Sequence, residues 1–328
     1  MNKHVSALIL AILCMLFWGF SFISTKITVE VFPPMSIGAL RFAMAMVFLF
    51  VLRRFSPGIM RHEKLEGRDI PLLAGAGLSG VTLYFFFENN GLTFITASEA
   101  SIITAAIPVL MIITESLGAA FHRNKIQNTA ARPGGLRQWT GALVSMIGVW
   151  LVARVSFSLE TAATGKTALG YLCMAGAAIS WVAYSYLTRP LFSRHSRLFI
   201  VFWQSVFGFL GFLPFAFLEI PSWGEASPTV ICHLVFLGLF CSALAYWFYA
   251  ESMRHLGISI SSLFINLIPV VTVIAGFFVL GERLSYVQWL GAVLVLGGVY
   301  LAMFEKEKSN GLIRQAAGFS NTSNEQMH

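Results

Sequence analysis

Ten stretches of nearly unbroken apolar residues divide the chain, at 5–27, 33–52, 70–90, 97–121, 138–154, 166–188, 197–218, 230–253, 258–280 and 285–304. A helix needs about 20 such residues to cross about 30 Å of hydrocarbon, so each stretch predicts a transmembrane helix. The pieces between them are short and polar. The longest, 122–137, is basic and carries Pro133-Gly134-Gly135, and the residues from Glu305 onward form a polar tail. The stretch at 5–27 follows Lys3 but exceeds the roughly 7–15 residues of a signal core and lacks an A-x-A site, so it reads as a span.

Composition agrees with that pattern. Of 328 residues, 57% are hydrophobic and 11% charged, less than half of the roughly 25% typical of soluble domains. The net charge of +7 does not imply a nucleic-acid partner, because position explains it. With the N-terminus inside, 17 of the 22 lysines and arginines fall on the inner side and four (Lys26, Arg154, Lys166 and Arg283) on the outer. Arg41 alone lies within a span. That asymmetry orients the chain with both termini cytoplasmic.

The most informative signal is an internal repeat. The segment 96–109 aligns with 257–270 at an offset of 161, setting Ser98 on Ser259, Ser101 on Ser262 and Pro108 on Pro269. Trp18 meets Trp181 at an offset of 163, which also sets Arg41 opposite Gln204. Later, Gln138-Trp139 and Gly141 match Gln288-Trp289 and Gly291. Each half holds five spans. Because five is odd, the halves lie in opposite orientations, as in transporters whose binding site sits near the midplane. The fold expected is an all-α integral membrane protein of ten transmembrane helices, arranged as two inverted five-helix repeats (1–154 and 166–304) with a tail at 305–328.

Several residues are candidates for chemistry. Pro108 and Pro269 lie inside the fourth and ninth stretches, where proline frees the carbonyls of Thr104 and Ile265 and predicts a kink or hinge. Thr104 and Asn266 are polar groups placed to help there. Arg41 either snorkels outward or faces a cavity and orients an anionic solute group. Glu99 either pairs with Arg41, carries a proton, or completes the capping box begun by Thr96. Glu88, beside Asn89 and Asn90, reads as an exposed helix end. Glu251 has Arg254 and His255 at ion-pair spacing. Trp18, Trp181, Tyr184 and Tyr246, with Tyr84 and Phe85, read either as interfacial anchors or as the wall of a cavity for an aromatic or amphipathic solute. Small residues at Gly141, Ser145 and Gly148, and at Gly291, Gly297 and Gly298, predict close helix packing or a homodimer contact.

Catalytic signatures are missing: there is no HExxH, no GxSxG and no phosphate-binding glycine loop. The four cysteines lack CxxC spacing, and the seven histidines lie at span ends, loops or termini, so neither a metal nor another cofactor is expected.

The sequence resembles the EamA-like branch of the drug/metabolite transporter superfamily over 5–304. The likeness rests on Phe17-Trp18-Gly19, Arg41-Phe42, the Pro108 and Pro269 segments, and Gly281-Glu282-Arg283-Leu284 leading to Gln288-Trp289 and Gly291. The first half departs from the pattern, with Ala120-Phe121-His122-Arg123 where the second has Gly-Glu-Arg-Leu. The resemblance implies ten inner-membrane helices and export or exchange of small metabolites, amino acids among them. Two other readings stay open: transport of phosphorylated or nucleotide-linked solutes, which calls for more cavity cations than Arg41, and a membrane-embedded enzyme acting on lipid-linked substrates.

Overall fold

The computed structural model describes residues 3–55, 63–121, 136–159, 165–298 and 300–301. The 122–135 part of the long basic connection and the tail expected at 305–328 lie outside the described residues. Among those described, the chain is all helical. In order it forms α1 (Lys3–Thr28), α2 (Pro34–Phe55), α3 (Ile70–Gly77), α4 (Tyr84–Phe94), α5 (Ala97–Thr104), α6 (Ile107–Phe121) and α7 (Leu136–Leu159). These are followed by α8 (Lys166–Thr188), α9 (Arg197–Glu219), α10 (Pro228–Phe236), α11 (Ala245–Leu256), α12 (Ile258–Leu263), α13 (Leu267–Val279) and α14 (Tyr286–Gly298). Turns of π-helix at Leu78–Leu83 and Leu237–Leu244 join α3 to α4 and α10 to α11 into continuous rods.

Seven helices are long and apolar enough to cross a membrane, and three shorter apolar helices accompany them, at Trp139–Gly148, Phe264–Val279 and Tyr286–Gly298. The stretch expected at 258–280 does not run as one α-helix. Its helix gives way to a 3-10 turn at Phe264–Asn266 before α13 begins. The stretch at 97–121 breaks at the matching place, between Thr104 and Ile107. Pro108 and Pro269 therefore do not sit in helix interiors, as the sequence predicts. Each lies in the first turn of a new helix, where the missing N–H has no intrahelical acceptor to lose. At both places the α winding is interrupted for a few residues while the backbone stays right-handed, through Ala105 and through Phe264 and Asn266.

Helix ends inside a bundle leave N–H and C=O groups without intrahelical partners. Some spans satisfy their own. Thr96 and Glu99 form a full capping box on α5, and Ser196 and Ser227 cap α9 and α10. Others borrow a charge from a distant span. Glu219, at the end of α9, accepts from the backbone N–H groups of Met35 (3.3 Å) and Ser36 (2.7 Å) at the start of α2. Glu282 does the same for Ala97 (2.9 Å) and Ser98 (3.0 Å) at the start of α5. Lys26 donates to the carbonyls of Leu92 (2.6 Å) and Ile95 (2.9 Å), where α4 ends. Each places a full charge where the helix dipole favours it.

The opposite end of the bundle is held by ion pairs. Asp69 at the entry to α3 pairs with Arg194 (2.5 Å) and His195 (2.7 Å), and Glu63 accepts from the Ser196 N–H (3.0 Å). Glu251 pairs with His255, as its spacing predicts, but its second partner is Arg197 at the start of α9 (2.7 Å) rather than Arg254.

The small-residue stripes pack against each other within this chain. A methyl group on Gly298 would lie 2.5 Å from the Gly141 carbonyl and the Ser145 nitrogen, and one on Gly148 would lie 2.6 Å from the Gly291 carbonyl. Ser145 donates its hydroxyl to the Val295 carbonyl at 3.2 Å. Backbone thus meets backbone along α7 and α14, so these residues serve an internal helix contact. Gly298→Val is expected to destabilise the protein by about 1–3 kcal/mol, the usual penalty of overpacking. Gly297→Val, with nothing within 4 Å of the added carbon, is expected to leave it unchanged. Thermal unfolding in detergent compares the two.

Candidate functional site

The two helix breaks face one another across a buried cavity. Thr104 and Ile107 line it from the first break, Ile265 and Ile268 from the second. Thr104 and Ile265 are the residues whose carbonyls the prolines exclude from the helical ladder. The remaining wall comes from Trp18, Ser21 and Phe22 on α1, Arg41 on α2, and Tyr84, Phe85 and Glu88 on α4. Trp181 of α8 and Tyr246 of α11 close it.

Four aromatic rings make a tight cluster. Trp18 and Trp181 stand perpendicular with centroids 5.2 Å apart. Tyr246 lies 5.6 Å from Trp18 and 5.7 Å from Trp181, and Tyr84 lies 5.1 Å from Trp181. Such edge-to-face geometry puts positive ring edges against negative faces. Two polar tips fix the cluster. The Trp18 indole donates to the Cys241 carbonyl at 3.0 Å, and the Tyr246 hydroxyl donates to the Gly80 carbonyl at 2.7 Å. Both acceptors belong to the π turns, whose wider winding is a common feature of functional sites. Gly80 and Cys241 are also 161 residues apart, the offset that relates Pro108 to Pro269. Gly80 admits the ring of Tyr184 so closely that a methyl group there would lie 2.2 Å from it.

Arg41 is fully buried, so it does not snorkel outward. Its Nε donates to the Ser242 hydroxyl at 2.7 Å, and its guanidinium carbon lies 4.1 Å from the centre of the Phe85 ring. Gly238, one turn before Ser242, allows α2 to approach: the Arg41 carbonyl would lie 3.3 Å from a methyl group added there. Nη1 and Nη2 of Arg41 have no hydrogen-bond partner within the protein. These are the donors left for the cavity.

Glu88 differs from its expected role as an exposed helix end. It is 2% exposed, lines the same cavity, and its Oε1 has no hydrogen-bond partner. The signal was present in the spacing, because Glu88 stands four residues after Tyr84 and three after Phe85, on one helical face. Reading it beside two asparagines concealed that face.

Of the residues singled out from the sequence, Trp18, Arg41, Tyr84, Phe85, Thr104, Trp181 and Tyr246 meet at the cavity. Tyr184 packs against Trp181 with the rings tilted and their centroids 4.8 Å apart, without lining the space. Gln204 is buried elsewhere and donates to the Thr188 hydroxyl at 2.8 Å. Asn266 lies in the 3-10 turn of the second break. Glu99 is occupied by its capping box and by Tyr171 (3.1 Å) and Gln288 (2.9 Å). Counting all interatomic space, the cavity measures about 370 Å³, and only a small part of it is wide enough for a water-sized molecule. As the rings stand, they leave no room for a molecule much larger than water. Among the described residues no group of histidine, cysteine, aspartate or glutamate is arranged to hold a metal ion.

Comparison with known proteins places this architecture. The EamA-like transporter family matches residues 5–154 and 168–304. An uncharacterized transporter of Archaeoglobus fulgidus is 26% identical, the alignment covering 88% of this chain and 95% of that protein. A probable terminal-alkyne amino-acid exporter of Streptantibioticus cattleyicolor is 23% identical, with 92% and 93% covered. A probable amino-acid metabolite efflux pump of Escherichia coli is 24% identical, with 90% and 94% covered. One solved crystal structure shares the fold with a TM-score of 0.63 at 18% identity, over 92% of this chain and 98% of its own. A multi-pass membrane protein with a buried, mostly aromatic cavity, matched by one family over nearly its whole length, this chain belongs to the EamA-like transporter family.

Proposed function

We propose that the chain is a secondary transporter that exports or exchanges small metabolites, amino acids foremost, by alternating access. In this reading ten helices cross the inner membrane with both termini cytoplasmic. The halves 1–154 and 166–304 lie in opposite orientations, 305–328 is a cytoplasmic tail, and the solute is held at the cavity between the halves.

One observation carries the reading. Two helices, from segments 161 residues apart, break at matching points and direct both breaks into one buried cavity that also holds Arg41. Irregular backbone at membrane depth is stable only where it lines a cavity or is covered by protein, and paired broken helices are a recurrent transporter binding site. The aromatic closure of the cavity adds a physical reason for alternation, since solute entry requires the rings to separate. The names carried by the Streptantibioticus and Escherichia relatives support amino acids or their metabolites as the solute class.

Two experiments test it. In proteoliposomes containing the full chain, counterflow of a pooled metabolite library is expected to be saturable. It should fall about tenfold or more in Arg41→Ala, which removes a charged contact, and in Trp18→Ala; absence of flux for every solute would refute the reading. For sidedness, single cysteines replacing Glu63 and Ser196, which touch in the structure, should both react with an impermeant thiol reagent from the cytoplasmic side. Cysteines replacing Val31 and Gly224, joined by a 2.9 Å hydrogen bond, should react only from the outside. Labelling of Glu63→Cys and Ser196→Cys from opposite sides would break the proposed topology.

A further inference from the structure

The cavity holds an arginine and a glutamate, each with a polar atom that nothing in the protein satisfies. Arg41 presents two partnerless nitrogens and Glu88 a partnerless oxygen, each residue at least nine-tenths buried and each lining the same space. They form no ion pair with one another, although both lie in a wall otherwise built of rings, aliphatic chains and the hydroxyl residues Ser21 and Thr104. Tyr84 holds Glu88 by a hydrogen bond and Ser242 holds Arg41, yet each residue keeps a buried polar atom without a partner, which is expensive, so their placement in one cavity needs a reason.

Packing alone does not supply it. At the offsets found in the sequence, the position matching Arg41 is Gln204 and that matching Glu88 is Tyr249. Both counterparts are neutral and fully buried, so the same architecture is built there without charge. Tyr249 even joins the aromatic cluster, 5.1 Å from Trp18. The charges are thus confined to one side of a cavity whose shape does not require them.

We infer, on the basis of the transport reading above, that this site recognises a zwitterion at both ends. Arg41 takes a carboxylate and Glu88 takes an ammonium group, with the rings of Trp18, Trp181, Tyr84 and Tyr246 around the rest. A lone anion would pair Arg41 and leave Glu88 facing it, and a phosphorylated dianion would do so with more charge. A lone cation would meet Arg41. A molecule bearing an ammonium and a carboxylate a few bonds apart satisfies both groups and adds no net charge to a low-dielectric space. The ring faces add cation–π attraction for the ammonium end. Free amino acids have this chemistry; their esters and N-acyl derivatives each lack one half of it.

Binding to the full chain in detergent tests the assignment, read by tryptophan fluorescence and thermal shift, with the proteinogenic amino acids as probes. For any amino acid that binds, its methyl ester and its N-acetyl derivative are each expected to bind about tenfold or more weakly, the worth of a lost charge-assisted contact. Glu88→Gln should abolish the preference for the free amino acid over the N-acetyl form while keeping the preference over the ester. Arg41→Gln should do the reverse. That crossed pattern is one a merely structural role does not produce, and if either variant fails to fold the ligand series on the natural chain still decides. Binding of none of these amino acids, equal binding of all three forms, or equal weakening of all three by both variants would each overturn the inference. Two-ended recognition without counterflow would keep this assignment and remove the transport reading. Counterflow without two-ended recognition would do the opposite.

Discussion

A bilayer interior offers no water to a backbone group without a partner, and that constraint orders this molecule. Each helix end and each helix break within it must be answered by something the protein supplies. The answers here come largely from far away in sequence: Glu219 for α2, Glu282 for α5, Lys26 for the end of α4. A cap borrowed from a remote span does more than quiet two N–H groups. It ties the register of one helix to the position of another, so the caps also act as the fasteners of the bundle. The two breaks at Thr104–Ile107 and Phe264–Asn266 are the places where the backbone leaves its ladder deep inside, and both open onto the cavity.

The same logic governs the side chains of the cavity. Its wall is mostly aromatic, and the indole and hydroxyl tips that accompany those rings are placed on carbonyls of the π turns. Arg41 is half answered, by Ser242 and by the face of Phe85, and half not. A guanidinium held by one nitrogen and a ring keeps its orientation while its other two nitrogens stay available. That is the arrangement needed to meet a ligand without reorganising first.

Much of this was legible in the chain. Spans 166–188 and 197–218 match α8 and α9 within a residue, because they begin and end on charges or caps with an uninterrupted apolar run between. The meeting of Trp18, Trp181, Tyr246 and Arg41 was legible because the repeat set tryptophan on tryptophan and because a cation inside a span has few comfortable places. What escaped was what depends on three-dimensional neighbours. Pro108 and Pro269 announce disturbance but not whether the helix bends or stops. Glu88 was misjudged because local polarity was read where helical face mattered. Nothing in the sequence marks the π turns, where Gly238 and Gly80 let α2 and α8 approach closely. The glycine stripes were recognised as contacts, but pattern alone does not say whether the partner is another helix of the same chain.

The reciprocal placement of Trp18 on Cys241 and of Tyr246 on Gly80 has an energetic meaning for motion. Each is a single neutral hydrogen bond, worth about 0.5–1.5 kcal/mol net. The closed arrangement of the rings is therefore latched by a few such bonds and by ring contacts of about 0.5–1.5 kcal/mol apiece. A latch of that strength is comparable with what one small charged molecule gains on docking. On the transport reading proposed above, thermal fluctuation can spring such a latch and a bound solute can tip it either way.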